Sequence, residues 1–393
     1  MFRRLAAALT GRDDERIAAI ERLVRKVGDA QREQAETLQA RVAQLADTIA
    51  KQPTAKDLRE LRQAVRGLTG ARTDQDRALV ETLERIASGT RRIVIGPWTG
   101  EVGFELLYWI PFLEWARAHT GWTRERELIV SRGGVASWYG QPRASYEDVF
   151  TFVSPAEFHA ELAEERRKRR RPGAFDEHLI GAVTARRGLG RDDVDLLHPG
   201  HMFRAFAPYW SDEAGYGRID QFTRHRLLTP PPDTRPELPS SYVAVRFYFS
   251  ECFPETSENR AFAQGVVSTL AERTTVVVLN PGFTLDDHQD WSPDSSARVV
   301  AIADGLTPER NLAVQSAVIS GARAFVGTYG GYSYLAPLYG VPAISFYSRQ
   351  TFKLHHLHAA QRAFEPLGAA MLMPLDVAQV SLVQLALGTL VPA

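Results

Sequence analysis

Apolar residues fall at Leu38, Val42, Leu45 and Ile49, and again at Leu58, Leu61, Val65 and Leu68. This alternation of three and four steps makes one stripe along a helix. Pro53 with Thr54 and Asp57 interrupts the stripe and restarts it, and Gly70 with Thr73 marks a second break. Residues 1–90 therefore read as an α-helical region: either a hairpin packed on the rest of the chain or a coiled coil that sets oligomeric state. At Arg91 the period changes. RRIVIGPW predicts a short apolar strand, GEVGFELLYWIPFLEWARAHTG a helix, and ELIVSRGG a second strand and turn. VFTFV predicts a third strand, leading through Ser154-Pro155 into a charged helix that stops before Pro172 and Gly173.

The stretch LLTPPPDTRPELPSSY carries five prolines and leaves little scope for a helix or a central strand. Beyond it the rhythm restarts. YVAVRFYF, TTVVVLNPG, ARVVAIAD, ARAFVGTYGG and GVPAISFYS predict strands, alternating with helices over 259–273 and PERNLAVQSAVISGA. Strands alternating with helices give parallel α/β layers. The predicted fold class is thus α/β, two Rossmann-like domains preceded by the helical, coiled-coil-like region. The boundaries are 1–90 helical, 91–228 first α/β domain, 229–241 proline-rich linker and 242–393 second α/β domain. A ligand cleft is expected between the halves, at the carboxyl ends of the strands.

Composition narrows the class of partner. Of 393 residues 44% are hydrophobic, and the basic and acidic residues balance at 47 each. A neutral chain has no global pull toward nucleic acid or an anionic membrane, so nucleic acid is not expected as a partner; a transmembrane segment is not expected either. The single cysteine, Cys252, excludes an intrachain disulfide framework and fits a reducing compartment. The start, MFRRLAAALTGRDDER, has an apolar run too short for a signal-peptide core, and a cytoplasmic protein is expected. Phe2, Leu5 and Leu9 would allow peripheral contact with the inner membrane face.

Three short segments carry candidate chemistry. In GTYGGYSY, Gly330 and Gly331 let backbone approach a ligand, and amides opening the next helix suit phosphate oxygens. Hydroxyls of Thr328, Tyr329 and Ser333 would add hydrogen bonds, with Tyr332 beside them; the same glycines would equally serve a tight strand-to-helix turn. In YVAVRFYFSECFPETSENR, Arg246 would be a costly inward charge unless it met an anion such as a diphosphate; alternation would equally point it to solvent or pair it with a carboxylate. Arg260 is a second phosphate candidate. In TGEVGFELL, Glu101 sits between glycines where a carboxylate can act as general base toward a sugar hydroxyl, and Glu105, four residues on, would share its face. Weaker features are Asp193-Val194-Asp195, read as a solvated turn, the aromatic and imidazole stretch HPGHMFRAFAPYW, the basic run ERRKRRRPG, and HHLHAAQR.

Together these segments resemble the GT-B superfamily of nucleotide-sugar-dependent glycosyltransferases. LAVQSAVISGARAFVGTYGGYSYLAPLYGVPAISFY is similar to the helix, strand and glycine turn that face the donor diphosphate in such enzymes. VAVRFYFS is similar in placement to the arginine strand of the fucosyltransferase branch. TGEVGFELL resembles the first loop of heptosyltransferase-like members, whose acidic residue serves as base. The resemblance implies an inverting, metal-independent transfer from a GDP- or UDP-sugar, with no bound cofactor, to a hydroxyl of a glycan acceptor. Its donor half would be C-terminal and its acceptor half N-terminal, and residues 1–90 would pair subunits or dock a protein partner. Two alternatives stand beside it: a non-catalytic coiled-coil scaffold whose α/β domain binds a nucleotide or glycan, and a sugar-nucleotide 2-epimerase. The latter class follows its Gly-Gly turn with acidic residues, where Tyr332-Ser333-Tyr334-Leu335 stand here.

Overall fold

The computed structural model describes residues 74–165, 171–231, 237–280, 282, 289–294, 296–302, 306–352 and 354–390. The helical stripes of residues 38–68, with the coiled-coil expectation built on them, lie outside the described residues, as does most of the basic run, 166–170.

A helix over 74–88, α1, leads into β1 (Arg92–Ile95). The next helix, α2, changes character along its length: it opens at Val102–Phe104, widens to a π-helical turn over Glu105–Trp109, and continues as α-helix over Ile110–Thr120. Then come β2 (Glu127–Ser131), β3 (Tyr146–Asp148), α3 (Pro155–Glu165), α4 (Ala174–Arg186), β4 (Val194–Leu197) and α5 (Gly200–Trp210). Among the described residues these strands form a parallel sheet in the order β3-β2-β1-β4. β1 and β2 are almost wholly buried, as parallel strands covered on both faces must be, which is why they read as continuous apolar runs.

The second sheet is built from β5 (Tyr242–Arg246), β7 (Thr275–Val278), β9 (Val299–Ala301), β10 (Ala324–Thr328), β11 (Ala343–Tyr347) and β12 (Leu372–Asp376). Its order is β12-β11-β10-β5-β7-β9, again all parallel. Two short strands, β6 (Tyr248–Phe249) and β8 (Gln289–Asp290), make an antiparallel ribbon beside it. The principal helices of this half are α6 (Ser257–Ala271), α7 (Asn311–Ser320), α8 (Gly331–Leu338), α9 (Leu354–Leu367) and α10 (Val380–Leu390).

Two expectations are corrected. VFTFV is not a strand: Val149–Thr151 form a 3-10 turn, and the strand lies just upstream at Tyr146–Asp148. Asp195 is not in a solvated turn but inside β4, 7% exposed, where Arg85 from the helix over 74–88 reaches it at 3.0 Å. In both cases an inward-facing acid hid the strand.

The core is continuous from one sheet to the other, running from Ile93 and Ile129 through Trp109 and Phe206 to Val245, Val326 and Ile344. Hydrogen bonds stitch the same junction. Trp138 Nε1 donates to Ser316 Oγ at 3.0 Å, the Ala313 amide to the Gly133 carbonyl at 2.8 Å, and the Leu228 amide to the Leu338 carbonyl at 2.9 Å. Among the described residues no helix is long and apolar enough to cross a membrane.

Candidate functional site

The first turn leaves β1 and threads between its neighbours: Gly96 N–H donates to the Leu197 carbonyl at 3.1 Å and Trp98 N–H to the Val130 carbonyl at 2.9 Å. Glu101 follows at the N-cap of α2, with extended backbone (φ −67°, ψ 147°) and an exposed side chain. Glu105, expected to share its face, does not. The spacing of four places two residues together only when both lie within a helix, and Glu101 stands just outside one. Glu105 begins the π-helical turn and is fully buried.

Its pocket is specific. Glu105 Oε1 accepts from Ser131 Oγ at 2.6 Å and from Tyr139 OH at 2.5 Å, while Oε2 faces the Arg132 guanidinium at 3.9 Å. Burial raises the carboxyl to about 7, against the lowering pull of Arg132 and the two hydroxyls. Arg132 in turn donates to the carbonyl of Gly100, the residue before Glu101. A buried carboxyl and a guanidinium thus brace the loop that carries the exposed one. The sequence reading missed Arg132; its position directly after an apolar strand was the available signal.

The second turn leaves β10. Thr328 Oγ1 accepts from the Tyr248 amide at 3.0 Å and donates to the Tyr248 carbonyl at 2.8 Å, which ties β10 to the β6 strand. Tyr329 OH shares a hydrogen bond with Tyr334 OH at 2.6 Å. Ser333 Oγ accepts from the Gly330 amide and donates to the Thr328 carbonyl, both at 3.3 Å, closing the N-terminus of α8. The expected ligand hydroxyls therefore have partners within the chain.

The two glycines also answer to packing. A methyl group on Gly330 would sit 1.9 Å from the Tyr248 hydroxyl, and one on Gly331 would sit 2.8 Å from the Gly103 nitrogen and from Val102 Cβ. Gly331 is where the first turn of α8 meets the first turn of α2. The two segments singled out in the sequence, 330 residues and 100 residues along the chain, are in contact.

Arg246 ends β5 at 7% exposure. It donates to Gln315 Oε1 at 2.7 Å and to Asp290 Oδ1 at 3.0 Å, and its guanidinium lies 4.3 Å over the Tyr332 ring. The anion this inward charge needed is supplied by β8. Arg260 turns elsewhere, to Glu255 and to the Phe249 ring at 4.9 Å. Thus Arg132 braces the loop before Glu101, the helix start after Glu101 touches Gly331, and Arg246 stacks on the next residue, Tyr332, whereas Arg260 pairs with Glu255.

No family model matches this chain, and no curated protein does. Among solved structures the chain is similar to a glycosyl transferase family 9 protein from Veillonella parvula, with 12% identity over 76% of this chain and 90% of that one, TM-score 0.39. It is also similar to the dodecameric iron-containing heptosyltransferase TibC, 12% identical over 66% of this chain and 58% of that one, TM-score 0.34. A third is the glycosyltransferase SnogD from Streptomyces nogalater, 15% identical over 76% of this chain and all (100%) of that one, TM-score 0.33. Likenesses this remote carry no inference of their own.

A cavity of about 350 Å³ opens elsewhere on the first half, lined by Arg171, Pro172, Leu196, His198, His201 and Arg204. None of the turn residues lines it. His198, His201 and Arg204 of the stretch HPGHMFRAFAPYW line this cavity. In HHLHAAQR the unremarked His356 is the docking residue: its Nδ1 bonds Tyr108 OH at 2.8 Å and joins α9 to α2.

Proposed function

We propose that the protein is a glycosyltransferase that moves a sugar from a nucleoside diphosphate donor to a hydroxyl of a glycan acceptor. One observation carries the reading: an exposed carboxylate at the helix start of one parallel sheet lies on the segment that touches the glycine-opened helix start of the other, with a guanidinium beside it. Helix N-termini attract phosphate through aligned backbone amides. The α8 start and Arg246 would hold the diphosphate, with Arg246 shared between it and Asp290. Glu101 would accept the acceptor's proton as the acceptor oxygen bonds the anomeric carbon and the bond to the diphosphate breaks, inverting that carbon. The negative charge then growing on the leaving group is what the amides and Arg246 stabilise. Glu105 and Arg132 act through the Gly100 carbonyl, fixing where Glu101 stands.

A second reading has its own support, because Thr328, Tyr329, Ser333 and Arg246 all have partners inside the chain. In that reading the fold is a non-catalytic nucleotide- or glycan-binding module. Glu101→Gln separates the two. A transferase loses turnover by roughly 10²–10⁴-fold on removal of its base while nucleotide affinity, read by calorimetry with GDP and UDP, stays the same. A wild-type protein that turns over no GDP- or UDP-sugar but binds the nucleotide favours the module.

A further inference from the structure

The cavity beside β4 is built differently from the junction of the two turns. His198 follows β4 directly and is 3% exposed. Its Nδ1 accepts from the Gly200 amide at 3.0 Å, so the ring proton sits on Nε2, which lies 3.2 Å from Asp176 Oδ2. That carboxylate also accepts from the Gly173 amide at 2.9 Å. Asp176 is thereby engaged from two sides, and it is not among the residues lining the cavity.

The wall itself is cationic. Arg204 donates to His201 Nδ1 at 3.0 Å, because a guanidinium can only donate, which leaves the His201 proton on Nε2. Burial, and then the neighbouring charges of Arg204 and Arg85, push His201 down to about 4, so the ring stays neutral and remains a donor. Arg204 is itself lowered, first by burial and then by the charge of Arg171, the other guanidinium that lines the cavity. The His201 and Arg204 side chains belong to the first turns of α5, whose dipole adds to the positive potential. Among the described residues no acidic one lines the cavity, and its volume suits a ligand of monosaccharide size.

We infer that this cavity binds a small anionic sugar through its phosphate or carboxylate, held by Arg171, Arg204 and the Nε2–H of His201. Carboxylate and phosphate share the chemistry a guanidinium pair recognises, a planar or tetrahedral set of oxygens able to accept several charge-assisted hydrogen bonds. Leu196 and Pro172 supply apolar wall for the carbon face of the ring. The assignment as a binding site stands on the cavity alone. Its meaning as the place of an anionic acceptor rests on the transferase reading above.

The test uses thermal unfolding and calorimetry of the full chain at fixed ionic strength with glucose 6-phosphate, glucuronate, neutral glucose and inorganic phosphate. Either charged sugar raising the melting temperature, with at least tenfold tighter binding than inorganic phosphate or glucose, is the expected result. The preferred member of the pair distinguishes phosphate from carboxylate. Arg204→Gln and, separately, the exposed Arg171→Gln should each weaken that binding tenfold or more while leaving the response to GDP or UDP unchanged. Should Arg204→Gln fold poorly, Arg171→Gln alone decides. The inference is overturned if no charged sugar binds, if inorganic phosphate binds as well as the sugars, or if both variants bind like the wild type. Loss of the nucleotide response in these variants would also overturn it, by making the cavity part of a nucleotide site. Failure of turnover in every assay, with sugar binding intact, removes the transferase reading and leaves the site.

Discussion

The two strand-to-helix turns look alike in sequence, each with glycines around polar residues after an apolar strand, yet they are stabilised in opposite ways. The Glu101 turn is braced from beneath, by Arg132 and the buried Glu105, and presents its own carboxylate outward. The Gly330 turn is internally saturated: its hydroxyls bond backbone or one another, and its glycines admit a tyrosine hydroxyl and a neighbouring helix. Glycine-rich turns thus need not be open cradles. The second turn commits its Tyr329, Gly330 and Ser333 amides to the Phe346 carbonyl, Ser333 Oγ and the Gly330 carbonyl, while the first presents an exposed carboxylate.

Cutting the support of the second turn should have the largest effect. Arg246→Ala removes the buried guanidinium that Asp290 and Gln315 bond and is expected to cost about 4 kcal/mol, in the range for breaking a largely buried ion pair. Urea unfolding measures it, and nucleotide affinity should fall in parallel. A loss under about 1 kcal/mol, the range of surface pairs, would mean the pair contributes nothing to the turn.

The first turn is probed through protonation. Glu105 has its folded pKa raised from 4.5 to about 7, so the folded state holds more protons than the unfolded between those values. The stability this contributes is fully present below pH 4.5 and is lost as pH rises through 7, about 3 kcal/mol in all. Asp148, raised from 3.8 to about 7 chiefly by burial, acts in the same direction. His201 and His225, both lowered from 6.5 to about 4 by burial, act in the opposite one: their contribution is present above pH 6.5 and lost as pH falls through 4. The raw pH profile therefore mixes signs, and the informative quantity is the difference between Glu105→Gln and wild type. Relative to wild type the variant should gain about 3 kcal/mol between pH 4.5 and 8. A flat difference would show that Glu105 ionises as an ordinary carboxyl.

The smallest change tests the contact itself. Gly331→Ala pushes a methyl group against the Gly103 backbone and Val102. Overpacking of this kind costs about 2 kcal/mol, read as a lower urea midpoint. No loss of stability would show that the two helix starts separate at little cost.

Much of the fold was readable because buried parallel strands announce themselves: RIVI, ELIVS, YVAVR, TVVV, AFVGT and AISFY are apolar over most of their length, with nearly all of their polar residues at the ends. What stayed hidden is explained by charge. Glu147 and Asp148 in β3 and Asp195 in β4 are buried and break the apolar run, and each has at least one partner outside its strand. Glu147 meets Arg187, Asp148 accepts from the Gly134 and Phe150 amides and the Tyr146 hydroxyl, and Asp195 meets Arg85. For Glu147 and Asp195 the partner lies tens of residues or more away, beyond any local window. The same holds for the candidate site. The two turns were identifiable from glycine and charge spacing, whereas the brace of Arg132 on Gly100, and the pairing of Arg246 with Asp290 across the β6–β8 ribbon, depend on tertiary placement.

The π-helical turn over Glu105–Trp109 has a consequence for how α2 connects its two ends. Upstream, the helix must present Gly103 to Gly331 and Glu105 to Ser131 and Tyr139. Downstream, it must present Arg117 to Glu127, a buried pair at 2.6 Å, and Glu114 to Arg226 at 2.8 Å. Each residue advances a helix by about 100°, so the wide turn acts as a phase shifter between two fixed angular settings. Deleting one residue within it would restore a regular helix and rotate one set of contacts out of alignment with the other, whatever residue was removed.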